Sequence, residues 1–287
     1  MSDEGGTPYD GLTDEHGEDH RWAFGTGFTD PLEGIDTSVP HGMEAPELAA
    51  YCLALGDDAL IYSHRLQQWI TRMPELEEET ALGNIALDLL GQARMLLARA
   101  GSIDGRTEDE LAFFRAEKEF RNVRLVERRD EDFAELVGRL LVFSTWRLAL
   151  FDHLRDAADP VLAAIAAKGV KELTYHRDYA AQWVVRLGDG TELSHERMQG
   201  ALDRLWPLVD ELFTPRAGDL ADPARLRGEV DVVLDTVFAT AGLDRPDGAP
   251  LAFVGGRAGR DGVHTEALGY VLAELQSVAR AHPDATW

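Results

Sequence analysis

The chain has 287 residues, 45% of them hydrophobic, and 52 Asp and Glu against 28 Lys and Arg give a formal net charge of −24. That length and apolar content suit one large domain with a substantial core. So acidic a surface repels nucleic-acid phosphates and anionic membranes, which excludes both as expected partners, and no uncharged apolar run reaches the roughly 18 residues that a membrane-spanning helix needs.

No basic start followed by an apolar stretch is visible, so a secretory signal is not expected and a cytoplasmic location is. The one cysteine, Cys52, rules out a disulfide within the chain and a thiolate metal cluster. It lies in an apolar helical pattern and reads as core packing. Lys118, Lys168 and Lys171 are the only lysines, the rest of the basic residues being arginine. Excess carboxylate with scarce lysine fits a cytoplasm holding molar salt, where screening removes self-repulsion. A GC-rich genome favouring Arg and Ala is the other source of the same bias.

Residues 1–45 are rich in Gly, Asp and Thr and show little periodicity. They read as a disordered or loosely docked tail, with Trp22, Phe24 and Phe28 as possible pins. The domain is expected to span residues 46–287, opening on Pro46 at a helix start. Over 47–72, Leu48, Leu55, Ala59, Tyr62, Leu66 and Trp69 recur at helical spacing and predict one buried stripe. Pro74 ends that helix. The next runs over 75–100 with Leu82, Ile85, Leu89, Leu90, Leu96 and Leu97 inward, and Gly101 as its C-cap. A capping box from Thr107 to Glu110 opens a helix over 107–127. Long apolar-striped helices follow over 131–156 and 159–187. After the turn at 187–191, Ser194 caps a helix to about 213, Asp222-Pro223 opens another to about 241, and a last helix covers 264–281. Strand-like alternation is almost absent, so the fold class is all-α, a long-helix bundle with additional shorter helices.

A bundle of this size raises the possibility of a di-metal carboxylate site. Such a site takes one Glu from each of two helices and a Glu-x-x-His from each of the other two, a spacing that puts carboxylate and imidazole on one inward face. Of nine histidines only His195 has Glu three residues earlier, Glu192, and that pair sits at a turn and helix start. Asp261 precedes His264 by three, but across Gly262 in a loop. His176 is well placed in the middle of a long helix, yet its partner position holds Leu173. His176 therefore reads first as a hydrogen-bonded structural histidine. Asp57, Asp58, Asp88, Asp152 and Glu172 also sit on long helices, each able to face inward and pair with an arginine or with His176. The basic glycine-rich stretch 255–260 follows no convincing strand. Arg257 and Arg260 there form a possible anion- or partner-binding loop, with partner or self-packing the favoured use.

Several stretches match a known family in order: Leu55-Gly56-Asp57-Asp58, Pro74-Glu75-Leu76-Glu77, Asn84 to Arg94, Ala163 to Lys168, Lys171-Glu172 with Tyr175-His176, and His264-Thr265-Glu266 through Gln276 to Trp287. From about Tyr51 to Trp287 the chain resembles the C subunits of the bacterial 1,2-phenylacetyl-CoA epoxidases, the ring oxygenases of phenylacetate catabolism. The resemblance implies a ferritin-like fold and a hetero-oligomer in which a homologous A subunit holds the iron and oxygenates the thioester. It implies no cofactor in this chain and no catalytic residue, with a structural role beside the A subunit and the other subunits; self-association is expected too. It further places Leu89 and Gln92 on one former Glu-x-x-His motif, and Leu173 and His176 on the other. The core at this degenerate site is accordingly expected to be apolar and poor in charge. Two other readings stay open: an oxidase or oxygenase acting through His176 and nearby acids, and a coenzyme A-binding module using Arg257 and Arg260.

The acid-rich composition generates one prediction. The chain loses stability in low salt and gains it in molar KCl, read from thermal unfolding across a salt series; equal melting with and without KCl would remove the halophilic reading.

Overall fold

A computed structural model describes residues 34–73 and 75–285. Among these residues there are eight α-helices and no strand, only an isolated bridge between Val254 and Arg257. The helices are α1 (Ala45–Gln67), α2 (Leu76–Asp104), α3 (Glu108–Phe113), α4 (Phe133–Leu154), α5 (Pro160–Gly188), α6 (Glu192–Leu205), α7 (Arg227–Ala241) and α8 (Glu266–Ala281). No helix among the described residues is long and apolar enough to cross a membrane. Trp22, Phe24 and Phe28 lie outside the described residues. Ile35, Val39 and Met43 pack against the core, and the Thr37 carbonyl accepts from Arg99 Nη1 at 2.7 Å.

Four long helices, α1, α2, α4 and α5, make the bundle. Side-chain partners give their directions. Ser63 meets Ala86 while Gly56 meets Leu97, Arg147 meets Leu55 while Phe143 meets Tyr62, and His176 meets Asp88 while Glu172 meets Gln92, so each of these neighbouring pairs runs antiparallel. α2 and α4 therefore point the same way, and residues 105–132 must cross the length of the bundle between them. This is the ferritin-like arrangement with one long crossover. α4 is buried on every side from Ala134 to Arg147, as a helix covered all round must be.

The crossover corrects the expected helix over 107–127. The Thr107–Glu110 capping box is present, but α3 stops at Phe113 and the rest is extended chain with short 3-10 turns. Its backbone amides have partners elsewhere. Asp57 accepts from Arg121 N at 2.8 Å, Asp58 from Val123 N at 2.9 Å, and Glu211 from Arg124 N at 3.3 Å. An amide held by a buried carboxylate is not free to close a helical turn.

Other ends differ as well. α1 stops at Gln67 and a 3-10 turn covers Ile70–Arg72. α2 continues through Gly101 and caps at Gly105, which takes φ 84°. Gly101 stays inside because the Arg106 carbonyl occupies the space of a Cβ. Thr191, not Ser194, is the N-cap of α6. The stretch to Phe213 follows as a 3-10 helix over Trp206–Phe213, and Asp222 caps a 3-10 turn ahead of α7.

Gly169 sets the distance between α4 and α5. A Cβ there would come within 2.6 Å of the Phe151 ring, which is fully buried and cannot swing aside. Gly169→Ala is therefore expected to destabilise the fold by about 1–3 kcal/mol, read from denaturant midpoints; an unchanged midpoint would show that the two helices can part.

Candidate functional site

Leu89 and Gln92 on α2 and Leu173 and His176 on α5 are all completely buried. The antiparallel α2–α5 register brings the two pairs together: His176 faces Asp88, and Gln92 faces Glu172. The four positions thus share one layer at the bundle centre. Two leucines offer nothing to a metal.

Gln92 is already engaged on both ends. Its Oε1 accepts from Arg147 Nε at 2.9 Å, and its Nε2 donates to Glu172 Oε2 at 2.9 Å. Glu172 Oε1 in turn lies 3.0 Å from Lys168 Nζ. Arg147 places both terminal nitrogens 3.2 Å from the Leu55 carbonyl, and its guanidinium sits 4.4 Å from the centre of the Phe151 ring. One continuous network therefore runs from α1 through α4 and α2 to α5. Burial pushes the Arg147 pKa down to about 10, with Asp58 pulling the other way, so the side chain stays charged at neutral pH. At the centre of this bundle the cation is a guanidinium carried by α4. These residues do not fit a di-iron centre: Leu89 and Leu173 have no donor atom for a metal, and the Gln92 carbonyl oxygen is already turned to Arg147.

His176 Nε2 lies 3.0 Å from Asp88 Oδ2, an acid partly open to solvent, and its Nδ1 has no hydrogen-bond partner in the structure. That is the hydrogen-bonded histidine expected from the sequence. Among the described residues no group of three or more His, Cys, Asp or Glu is arranged to hold a metal ion.

The expectation of a charge-poor core is corrected. Buried ion pairs join Asp57 to Arg115, Asp58 to Arg260, Asp130 to Arg139, Asp159 to Arg99 and Glu211 to Arg124. Buried Glu127 accepts from Asn122, from Thr265 N and Oγ1, and lies against His264 Nδ1 at 2.6 Å. Leu89 and Leu173 are apolar, but arginine–carboxylate pairs place charge elsewhere in the core. Asp57 and Asp58 pair with arginines and Asp88 with His176 as expected, whereas Glu172 faces Gln92 and Lys168 instead. Asp152 does not face inward: it is exposed and pairs with Arg155 at 2.9 Å.

Arg260 is also redirected. It points inward, 2.6 Å from Asp58 and within bonding distance of the Ala54 and Arg121 carbonyls, while Arg257 stays exposed. The loop therefore does not hold both guanidiniums outward for an anion, and self-packing is the use the geometry gives Arg260. Cys52 is buried, and burial pushes its thiol up to about 12, as expected of core packing.

Sequence reasoning missed Arg147. Its signal was an arginine inside the apolar run from Leu140 to Phe151, on a helix with no polar face to carry it.

Fold and centre together define the class: a ferritin-like bundle with a side-chain hydrogen-bond network at its centre. A family model described as phenylacetic acid catabolic protein matches residues 36–287. The C subunit of the 1,2-phenylacetyl-CoA epoxidase of Escherichia coli (strain K12) is 41% identical over 250 residues, covering 84% of this chain and 99% of that protein. The chain belongs to this family of phenylacetic acid catabolic proteins.

Arg147→Met leaves Gln92 Oε1 buried without a donor and takes from the Leu55 carbonyl the donors it has beyond its own helix bond. It is expected to cost about 3 kcal/mol of unfolding free energy. Arg147→Lys restores the charge but cannot reach both acceptors with a planar fork, so it recovers less than half. Denaturant unfolding of the three proteins checks this, and full rescue by lysine would show that charge alone matters.

Proposed function

We propose that this chain is the non-catalytic structural subunit of a multicomponent oxygenase that epoxidises the ring of phenylacetyl-CoA. In this reading it works in the cytoplasm and pairs with a homologous subunit that keeps both Glu-x-x-His motifs and holds the iron. The chain itself holds no cofactor. The observation that carries the reading is the network at the bundle centre: Leu89 and Leu173 in place of ligands, and Gln92 tied to Arg147.

A di-iron bundle keeps an opening for metal and substrate, which removes packing and leaves buried carboxylates around a cation that comes and goes. Here a guanidinium fixed to α4 supplies the central charge at all times. The helices are laced together without metal, and a rigid chain of the same shape can brace its metal-binding relative. Membership of the family and the likeness to the C subunit of an epoxidase support the substrate and the pathway.

The test is reconstitution. The chain purified alone should contain well under one iron per molecule and should not oxygenate phenylacetyl-CoA. Co-expressed with a homologue bearing two intact Glu-x-x-His motifs, it should co-elute in a stable complex. Stoichiometric iron in the lone chain, turnover by it, or a homologue that is soluble and fully active without it would each overturn the proposal.

A further inference from the structure

A cavity of about 620 Å³ lies where the end of α1, the 3-10 turn at Ile70–Arg72, the end of the crossover and the first half of α8 meet. Its wall carries three arginines, Arg65, Arg72 and Arg129, against two acids, Glu266 and Glu274. On a chain with a formal net charge of −24, a concavity holding more cation than anion is a local inversion of sign.

Arg65 forms the floor of the cavity and is only 5% exposed. A buried guanidinium is costly unless its charge is answered, and Arg99, Arg115, Arg124 and Arg139 each meet a carboxylate. Arg65 instead donates to the Glu127 carbonyl at 2.8 Å, and to the Ala267 carbonyl and Gln68 Oε1, each at 3.1 Å. No carboxylate of a described residue stands within ion-pair distance of it. Burial pushes its pKa down to about 10, and Arg139 adds to the push, so it stays charged at neutral pH.

Arg72 and Arg129 are exposed, and neither makes an ion pair or a side-chain hydrogen bond with another described residue. The two acids of the wall are turned elsewhere. Glu274 Oε2 accepts from Gln68 Nε2 at 2.6 Å and lies 3.4 Å from His64 Nε2, and Glu266 Oε1 accepts from the Tyr270 hydroxyl at 3.1 Å. The open donors of the cavity are therefore two guanidiniums, with a third positive charge behind them. Planar guanidiniums match phosphate oxygens in pairs. The volume exceeds that of a bare oxyanion and leaves room for an organic body.

We propose that this cavity binds a phosphate dianion, held directly by Arg72 and Arg129 over the charge of Arg65. Free phosphate and a small phosphate monoester share that chemistry, and the size of the cavity favours the monoester. The inference goes beyond the structural role proposed above, and its test needs no other protein.

Calorimetric titration of the full chain tests it, at one fixed ionic strength and at about pH 8, where a phosphate monoester is a dianion. The probes are glycerol 3-phosphate, inorganic phosphate and dimethyl phosphate (a monoanion). Glycerol 3-phosphate is expected to saturate a single site and to bind about tenfold more tightly than dimethyl phosphate. Tighter binding than inorganic phosphate supports the proposal with an organic phosphate as the ligand; equal or weaker binding supports it with the free ion. Arg72→Gln and Arg129→Gln, at exposed positions, should each weaken the dianion about tenfold. Glu266→Gln takes a negative charge from the wall and should strengthen it. Arg257→Gln, an exposed arginine outside the cavity, should change nothing. The proposal is overturned if neither glycerol 3-phosphate nor inorganic phosphate saturates, or if dimethyl phosphate binds as tightly as both. It is equally overturned if Arg72→Gln and Arg129→Gln leave the affinity unchanged, or if Arg257→Gln weakens it as much as they do.

Discussion

Four long helices that share a core must answer any charge held between them, and in this protein the side-chain network that does so centres on Arg147. Its guanidinium reaches the Leu55 carbonyl on α1 and Gln92 on α2, and Gln92 passes the connection to Glu172 on α5. A cation in a low-dielectric interior is costly unless its donors are satisfied and its field is answered. Here three donors meet two oxygens, aromatic faces cover the plane, and Asp58 acts at longer range. Leu89 and Leu173 are wholly buried on the two helices that Gln92 and Glu172 join.

A second constraint organises the outside of the bundle. Asp57 and Asp58, adjacent on α1 and wholly buried, hold the crossover through Arg115, the Arg121 and Val123 amides, and Arg260. The same crossover turns Glu127 toward His264 and Thr265, ahead of α8. On α8, Gln276 Nε2 donates to the Ala112 and Arg115 carbonyls, closing the end of α3. One acidic pair thus fixes the path by which α2 reaches α4, and that path fixes where α8 docks. These contacts explain why so much charge lies inside: the crossover is not helical and needs side chains to satisfy its backbone.

Much of this was legible before the structure. Apolar spacing located the four long helices, because burial of a stripe leaves a period in the sequence. The absence of a paired Glu-x-x-His set was legible too, since ligand spacing on a helix is a local property. The helix over 107–127 was misread for a physical reason. Its local pattern is compatible with a helix, but its amides are held by Asp57, Asp58 and Glu211, distant residues that no local window contains. Asp152 was misassigned because helical spacing gives a residue's face but not what covers that face. For Arg260 partner or self-packing was favoured over an anion but not separated from it, since a basic glycine loop looks the same whether its arginine turns outward or inward.

The sequence by itself determined the helical class, the lack of a paired Glu-x-x-His set, and a formal net charge of −24. These follow from composition and from spacings within single helices. Only the tertiary structure decided which partners the buried polar side chains meet. The interaction of Arg147 with Gln92 spans 55 residues and that of Arg260 with Asp58 spans 202, and contacts so distant along the chain leave no periodicity to read. Whether a buried arginine meets a carboxylate, a carbonyl or an open cavity depends on how the helices pack around it.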